Sequence, residues 1–270
     1  MDRMLACCLL LLACLSGSAY GQWSPPLVRF DNFNQKFLDS NKWATSSPCF
    51  TWTVLDCVRE IQNGQLRLGV RGFGATDSNQ GSQYAESELH FLRPSTIKSI
   101  ATDLVLRRLE GPACPDNADP PGGHAILQGT FFNSGTGDPN DDVQGLLLVD
   151  NRAPFENPGV ADVCSMLYWQ GQFFDGVCLG SVRFGQKIKT QLTWDQSNHQ
   201  FLSSFTDPAT GITAQESMPY SMPDTRVAAA PDKLIGVRVW SPNCIGKQGL
   251  ASDIEATFDN VMVGASVRED

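Results

Sequence analysis

Residues 65–70, Gln65-Leu66-Arg67-Leu68-Gly69-Val70, put Leu66, Leu68 and Val70 on one face and Gln65 and Arg67 on the other. Successive residues of an extended chain point to opposite sides, so a period of two marks a strand with one face in a core. The same period runs through 187–194, where Ile188, Thr190, Leu192 and Trp194 oppose Lys187, Lys189 and Gln191. It recurs at 253–258 with Ile254, Ala256 and Phe258. Turn formers punctuate these runs: Asn63-Gly64, Asp175-Gly176, Asp207-Pro208 and Thr210-Gly211. Residues 192–205, LTWDQSNHQFLSSF, read as a hairpin around Asp195–Asn198. The best helical candidate is a turn near Ala251, and Pro- or Gly-rich loops cover 111–123, 134–142 and 153–160. Many short strands, few helices and no repeat predict an all-β fold, one two-sheet antiparallel sandwich of the jelly-roll kind.

The first 21 residues differ from the rest. A basic Arg3 precedes the apolar run 4–15, and Ala19-Tyr20-Gly21 supplies a small–x–small cleavage pattern. That layout predicts a signal peptide over 1–21 and a single domain over 22–270, secreted or periplasmic. A second reading takes Leu11-Leu12-Ala13-Cys14 as a lipobox with Cys14 lipid-anchored; the cleavage pattern after it favours plain export. No later run is apolar enough to span a bilayer. Six cysteines follow the leader: Cys49, Cys57, Cys114, Cys164, Cys178 and Cys244. In an exported chain they read as three disulfides. Spacing suggests Cys49–Cys57 and Cys164–Cys178, leaving Cys114–Cys244, among the 15 connectivities that six cysteines allow. A net charge of −9 excludes nucleic acid and anionic membrane as partners, because both need clustered Lys and Arg.

Four short motifs carry a family likeness. They are Phe30-Asp31-Asn32-Phe33-Asn34, Leu38-Asp39-Ser40-Asn41-Lys42-Trp43, Asn63-Gly64-Gln65-Leu66-Arg67-Leu68, and Ala256-Thr257-Phe258-Asp259-Asn260-Val261-Met262-Val263. Together they resemble the concanavalin A-like lectin/glucanase superfamily, LamG-like jelly rolls included. The resemblance implies two curved sheets of six or seven strands and a concave face where members bind or cut glycans. It also implies a structural Ca²⁺ between the first and last strands, held by Asp259 with help from Asp31. The fold hosts lectins, hydrolases, lyases and adhesive domains alike, so it assigns no activity by itself.

Glu86 and Glu88, in Gly81–Phe91, would share one face of a strand roughly 6.5–7 Å apart along the backbone, within reach of a glycosidase pair. The glucanase pattern Glu-x-Asp-x-x-Glu is matched by Glu86-Ser87-Glu88-Leu89-His90-Phe91 only in part, since Phe91 stands where the second Glu belongs. The alginate-lyase pattern matches at Ser87-Glu88-Leu89, but Glu86 and His90 replace its arginines. Both patterns fail where the chemistry is done, and glutamates on a solvated sheet face are ordinary.

Among the tryptophans, Trp194 and Trp240 read as core. Trp169, with Tyr168 between Cys164 and Cys178, is the candidate sugar platform, although core packing is the usual fate of such rings. His90, His124 and His199 are far apart and no nucleophile elbow is present. The loop 137–142 is acidic but lacks EF-hand spacing. The expectation is a noncatalytic glycan-binding or surface-interaction module. The rival readings are a hydrolase or lyase using Glu86 and Glu88, and a structural cell-surface or matrix protein.

Overall fold

A computed structural model describes residues 26–45, 49, 54–152, 159–246 and 250–265. The expected signal peptide, Cys14, Trp23 and Trp52 lie outside them. Fifteen strands are described. In chain order they are β1 (Val28–Asp31), β2 (Val54–Gln62), β3 (Gln65–Phe73), β4 (Ser82–His90), β5 (Ile97–Glu110), β6 (Gly122–Asn133), β7 (Asp142–Arg152) and β8 (Val160–Trp169). Then follow β9 (Gln172–Arg183), β10 (Ile188–Asp195), β11 (Gln200–Thr206), β12 (Thr213–Pro219), β13 (Arg226–Val227), β14 (Lys233–Pro242) and β15 (Ala251–Ala265).

Pairing is antiparallel throughout. One sheet has eight strands in the order β12-β11-β10-β5-β15-β3-β2, with β1 also on β15; the other has seven, β4-β14-β6-β7-β8-β9, with β13 on β6. This is the two-sheet antiparallel sandwich of the jelly-roll kind that the alternating strands predicted.

The alternating residues do what their period requires. Leu66, Leu68, Ile188, Leu192, Ile254, Ala256 and Phe258 are all buried in one core. From the other sheet Ala85, Leu89, Ala125, Leu127, Val237 and Val239 meet them. Two apolar faces closing on each other is the main favourable term of such a fold, at about 25 cal/mol per Å² removed from water.

Local chemistry sets the joints. Asn63 and Gly64 both hold left-handed φ, 53° and 72°, which suits a two-residue hairpin between β2 and β3. The hairpin at 192–205 forms as expected, with Trp194 opposite Phe201. Two expectations are corrected. Asp175-Gly176 lies inside β9, and the chain turns instead at Gln170-Gly171, where φ is 54° and 68°. Residues from Ala251 onward are strand, because Ala251 pairs with Phe73 and Asp253 with both Arg71 and Glu110. The three disulfides are Cys49–Cys57, Cys114–Cys244 and Cys164–Cys178. The last joins directly opposed positions of β8 and β9.

The opening motif forms a buried corner. Asp31 Oδ2 accepts the Trp43 indole N–H at 2.7 Å, and Oδ1 accepts the Phe33 amide at 2.9 Å. Trp43 in turn contacts Phe30, Phe33 and Phe91. Removing the carboxylate strands a buried indole N–H, which costs about 1–3 kcal/mol. Asp31→Ala is therefore expected to lower the urea midpoint with an unchanged m-value; an unchanged midpoint would show that the corner is not needed.

Candidate functional site

On β4, Ala85, Ser87 and Leu89 face the core, so Tyr84, Glu86, Glu88 and His90 project from the outer face of the seven-stranded sheet. Their partners on β14 are Trp240, Arg238, Gly236 and Leu234, and on β6 the same rows continue as Gly122, His124, Ile126 and Gln128. The outer face thus has three zones: aromatic at the Trp240 end, charged at Arg238, and apolar beyond.

The charged zone is a chain of ion pairs. Arg238 Nε donates to Glu88 Oε1 at 2.7 Å and lies 3.4 Å from Glu86 Oε2, while its Nη2 is 2.6 Å from Glu88 Oε1. His90 Nε2 is 3.4 Å from Glu88 Oε2, and His90 Nδ1 is 2.9 Å from Asp232 Oδ1. Glu88 can reach this position because Gly236 opposite has no side chain; a Cβ there would come within 2.9 Å of Glu88 Cγ. Burial and the neighbouring Glu88 charge raise the Glu86 carboxyl above the usual range, partly offset by Arg238. Hydrogen bonds to Asp232 and Glu88 push His90 up to about 10, so it is cationic at neutral pH. Glu88 therefore sits between two cations, its Oε1 taken up by the Arg238 guanidinium.

The apolar zone is a second cluster, separate from the main core: Ile126, Leu146, Leu148 and Leu234 with Met166 and Tyr168. Tyr168 thus faces outward, whereas its neighbour Trp169 packs against the main core. Adjacent strand residues cannot share a face, so the two do not make one sugar platform. The aromatic zone was missed by placing Trp240 in the core. The structure puts it on the outer face, half-buried, with Gly122 on one side and Tyr84, 50% exposed, on the other. The signal was present in Ile235, Val237 and Val239, an unbroken aliphatic face that leaves Trp240 on the face of Arg238. A cleft of about 340 Å³ opens beside the indole, lined by Ser82, Trp240 and the segment Asp119–Gly123. The His124 ring stands 4.9 Å from the indole, edge-on.

The residues named for Ca²⁺ do not fit it. Both Asp31 oxygens already accept hydrogen bonds from Phe33 and Trp43. Asp259 accepts the Asn260 amide, and burial raises its carboxyl toward the neutral form. Ca²⁺ requires six to eight oxygens, and no group of three or more candidate ligands occurs among the described residues. In the acidic loop, Asp138 accepts the Asn140 amide, Asp141 that of Thr136, and Asp142 those of Ala229 and Ala230. Asp138 and Asp141 thus hold the local backbone, and Asp142 ties the loop to the segment at Ala229–Ala230.

No family model matches the chain, and no curated protein matches it. Solved structures do. A prokaryotic β-1,3-1,4-glucanase (lichenase) derived from a mouse hindgut metagenome is 11% identical with TM-score 0.49, over 87% of this chain and 98% of its own. Lectin II from Ulex europaeus is 12% identical with TM-score 0.41, over 87% and 98%. The carbohydrate-binding module CBM66 from Bacillus subtilis is 13% identical with TM-score 0.37, over 78% and 92%. At these values the likeness assigns no activity, and the fold rests on the strand order described above.

Next to Asp232, Lys233 is buried, its Nζ donating to the Thr130 carbonyl at 2.9 Å and lying 4.5 Å from the Phe131 ring centre. Burial lowers its pKa to about 7. The unfolded amine, near 10.5, holds its proton longer, so the penalty for burying charge is full below pH 7 and fades as pH rises to 10.5. Lys233→Met is expected to raise stability most near pH 6, with the gain over wild type shrinking toward pH 10, as read by urea unfolding. His90 has the opposite sign: its contribution is full below about 6.5 and lost as pH rises through about 10. NMR titration should find its imidazole still protonated at pH 8; a midpoint near 6.5 would remove the ion-pair chain.

Proposed function

We propose that residues 22–270 form one exported carbohydrate-binding module whose ligand lies across the outer face of the seven-stranded sheet. The observation that carries this reading is Trp240: a half-buried indole flanked by the bare Gly122 and the exposed Tyr84, above an open cleft. An aromatic face with one open side stacks on the apolar face of a pyranose, and nearby polar groups fix its orientation. Arg238, partly exposed, stands in the next row to supply one. Glu86 and Glu88 are in this reading a charge-balanced edge of the site and perform no bond cleavage. Retaining glycosidases need one free carboxylate nucleophile facing a second carboxyl across the scissile bond. Here both groups converge on one guanidinium.

One observation favours the enzyme reading. The raised carboxyl of Glu86 is a property of general acids. Affinity electrophoresis through a panel of soluble polysaccharides separates the two. The module reading expects retardation by at least one polymer, a loss of about tenfold or more in Trp240→Ala, and little change in Glu86→Gln. New reducing or unsaturated ends released by wild type and absent with Glu86→Gln would make the chain an enzyme instead.

A further inference from the structure

The opposite side of the sandwich carries a second hollow of about 430 Å³, on the outer face of the eight-stranded sheet. One cross-strand row forms its floor: Arg29, Met262, Ala101, Gln191 and Ser204 stand opposite one another across β1, β15, β5, β10 and β11. The next row is Asp103, Lys189 and Thr206. Two features make the depression. Ala101 is the shortest member of its row, and β15 bulges between Asp259 and Met262. In that bulge Asn260 takes a left-handed φ of 48° and donates its amide to Asp103 Oδ2 at 2.9 Å. Lys187 Nζ is 2.7 Å from the same oxygen, so Asp103 already has a cationic partner.

Arg29 and Lys189 differ from the cations that carboxylates hold elsewhere in this acidic chain. Arg67, Arg71, Arg108 and Arg238 are each held by carboxylates. Arg29 and Lys189 line the hollow, exposed, and enter no ion pair among the described residues. Around them stand an amide, Gln191, and two hydroxyls, Ser204 and Thr206, over a floor with no aromatic ring.

We propose that this hollow is a binding site for a sugar acid the size of one ring. Its carboxylate is met by Arg29 and Lys189 through charge-assisted hydrogen bonds, and its hydroxyls by Gln191, Ser204 and Thr206. The volume suits a single ring, and without an aromatic plane a neutral sugar gains nothing from stacking there. The site is independent of the Trp240 cleft, which lies on the other sheet.

The test is amide NMR of the intact domain titrated with D-glucuronate, D-glucose and sulfate. Glucuronate is expected to shift the amides of Gln191, Ser204 and Met262 saturably in the millimolar range, while glucose leaves them in place and sulfate competes only weakly. The double variant Arg29→Gln/Lys189→Gln, both on the surface, should weaken glucuronate binding about tenfold or more; Trp240→Ala should leave it unchanged. Equal shifts with glucose, sulfate binding as tightly as glucuronate, no saturation by about 50 mM, or full binding in the double variant would each overturn the site. Loss of polysaccharide retardation in Trp240→Ala with intact glucuronate shifts would separate this site from the first.

Discussion

The double-sided pairing of β15 is the constraint on which the rest of the molecule depends. It is bonded along one flank to β5 and along the other first to β3 and then to β1. It can serve two partners on one side because the β3 ladder begins, at Leu66, opposite Phe258 and the bulge at Asn260 resets the register before Val261. Ile254, Ala256, Phe258, Val261 and Val263 then reach the core from the middle of the eight-stranded sheet. The same bulge opens the hollow beside Ala101, so a topological necessity also shapes the surface.

Charge is distributed by burial. On the outer face of the seven-stranded sheet, Glu88 is 8% exposed and is tolerated because Arg238 and His90 meet it from both sides. A buried carboxylate with only one such partner would favour protonation, and with none would destabilise the sheet by several kcal/mol. The Glu86 carboxyl, 3.4 Å from the same guanidinium, is raised because burial and the Glu88 charge outweigh Arg238. Satisfied networks of this kind hold side chains in one geometry, which favours a preorganised binding edge.

The fold was legible wherever one face of a strand is uniformly apolar. Leu66, Leu68 and Val70, or Ile188, Leu192 and Trp194, announce both their strands and their buried side. Turn chemistry was legible at Asn63-Gly64 and misleading at Asp175-Gly176, because a Gly in a strand can also mark close packing. A Cβ at Gly176 would lie 2.9 Å from the Phe173 ring. Of the candidate site, Glu86 and Glu88 could be placed on one face from their spacing. Arg238, Asp232 and Gly236 lie some 150 residues downstream, and only register across the sheet brings them to Glu88 and His90. Trp240 was misread because a large ring suggests a core residue; the aliphatic parity of its own strand carried the better information.

Cys114 and Cys244 are 130 residues apart, whereas Cys164 and Cys178 are 14 apart and Cys49 and Cys57 only 8. In a chain made from its N-terminus, the thiol of Cys114 appears before every sulfur of the β8–β9 staple and waits until after all four of those near neighbours have emerged. β15 arrives later still, and with it the last partner of β1, β3 and β5. Closure of the two short loops among themselves leaves Cys114 without a competitor when Cys244 comes into reach; any earlier pairing of Cys114 has to be undone by thiol–disulfide exchange.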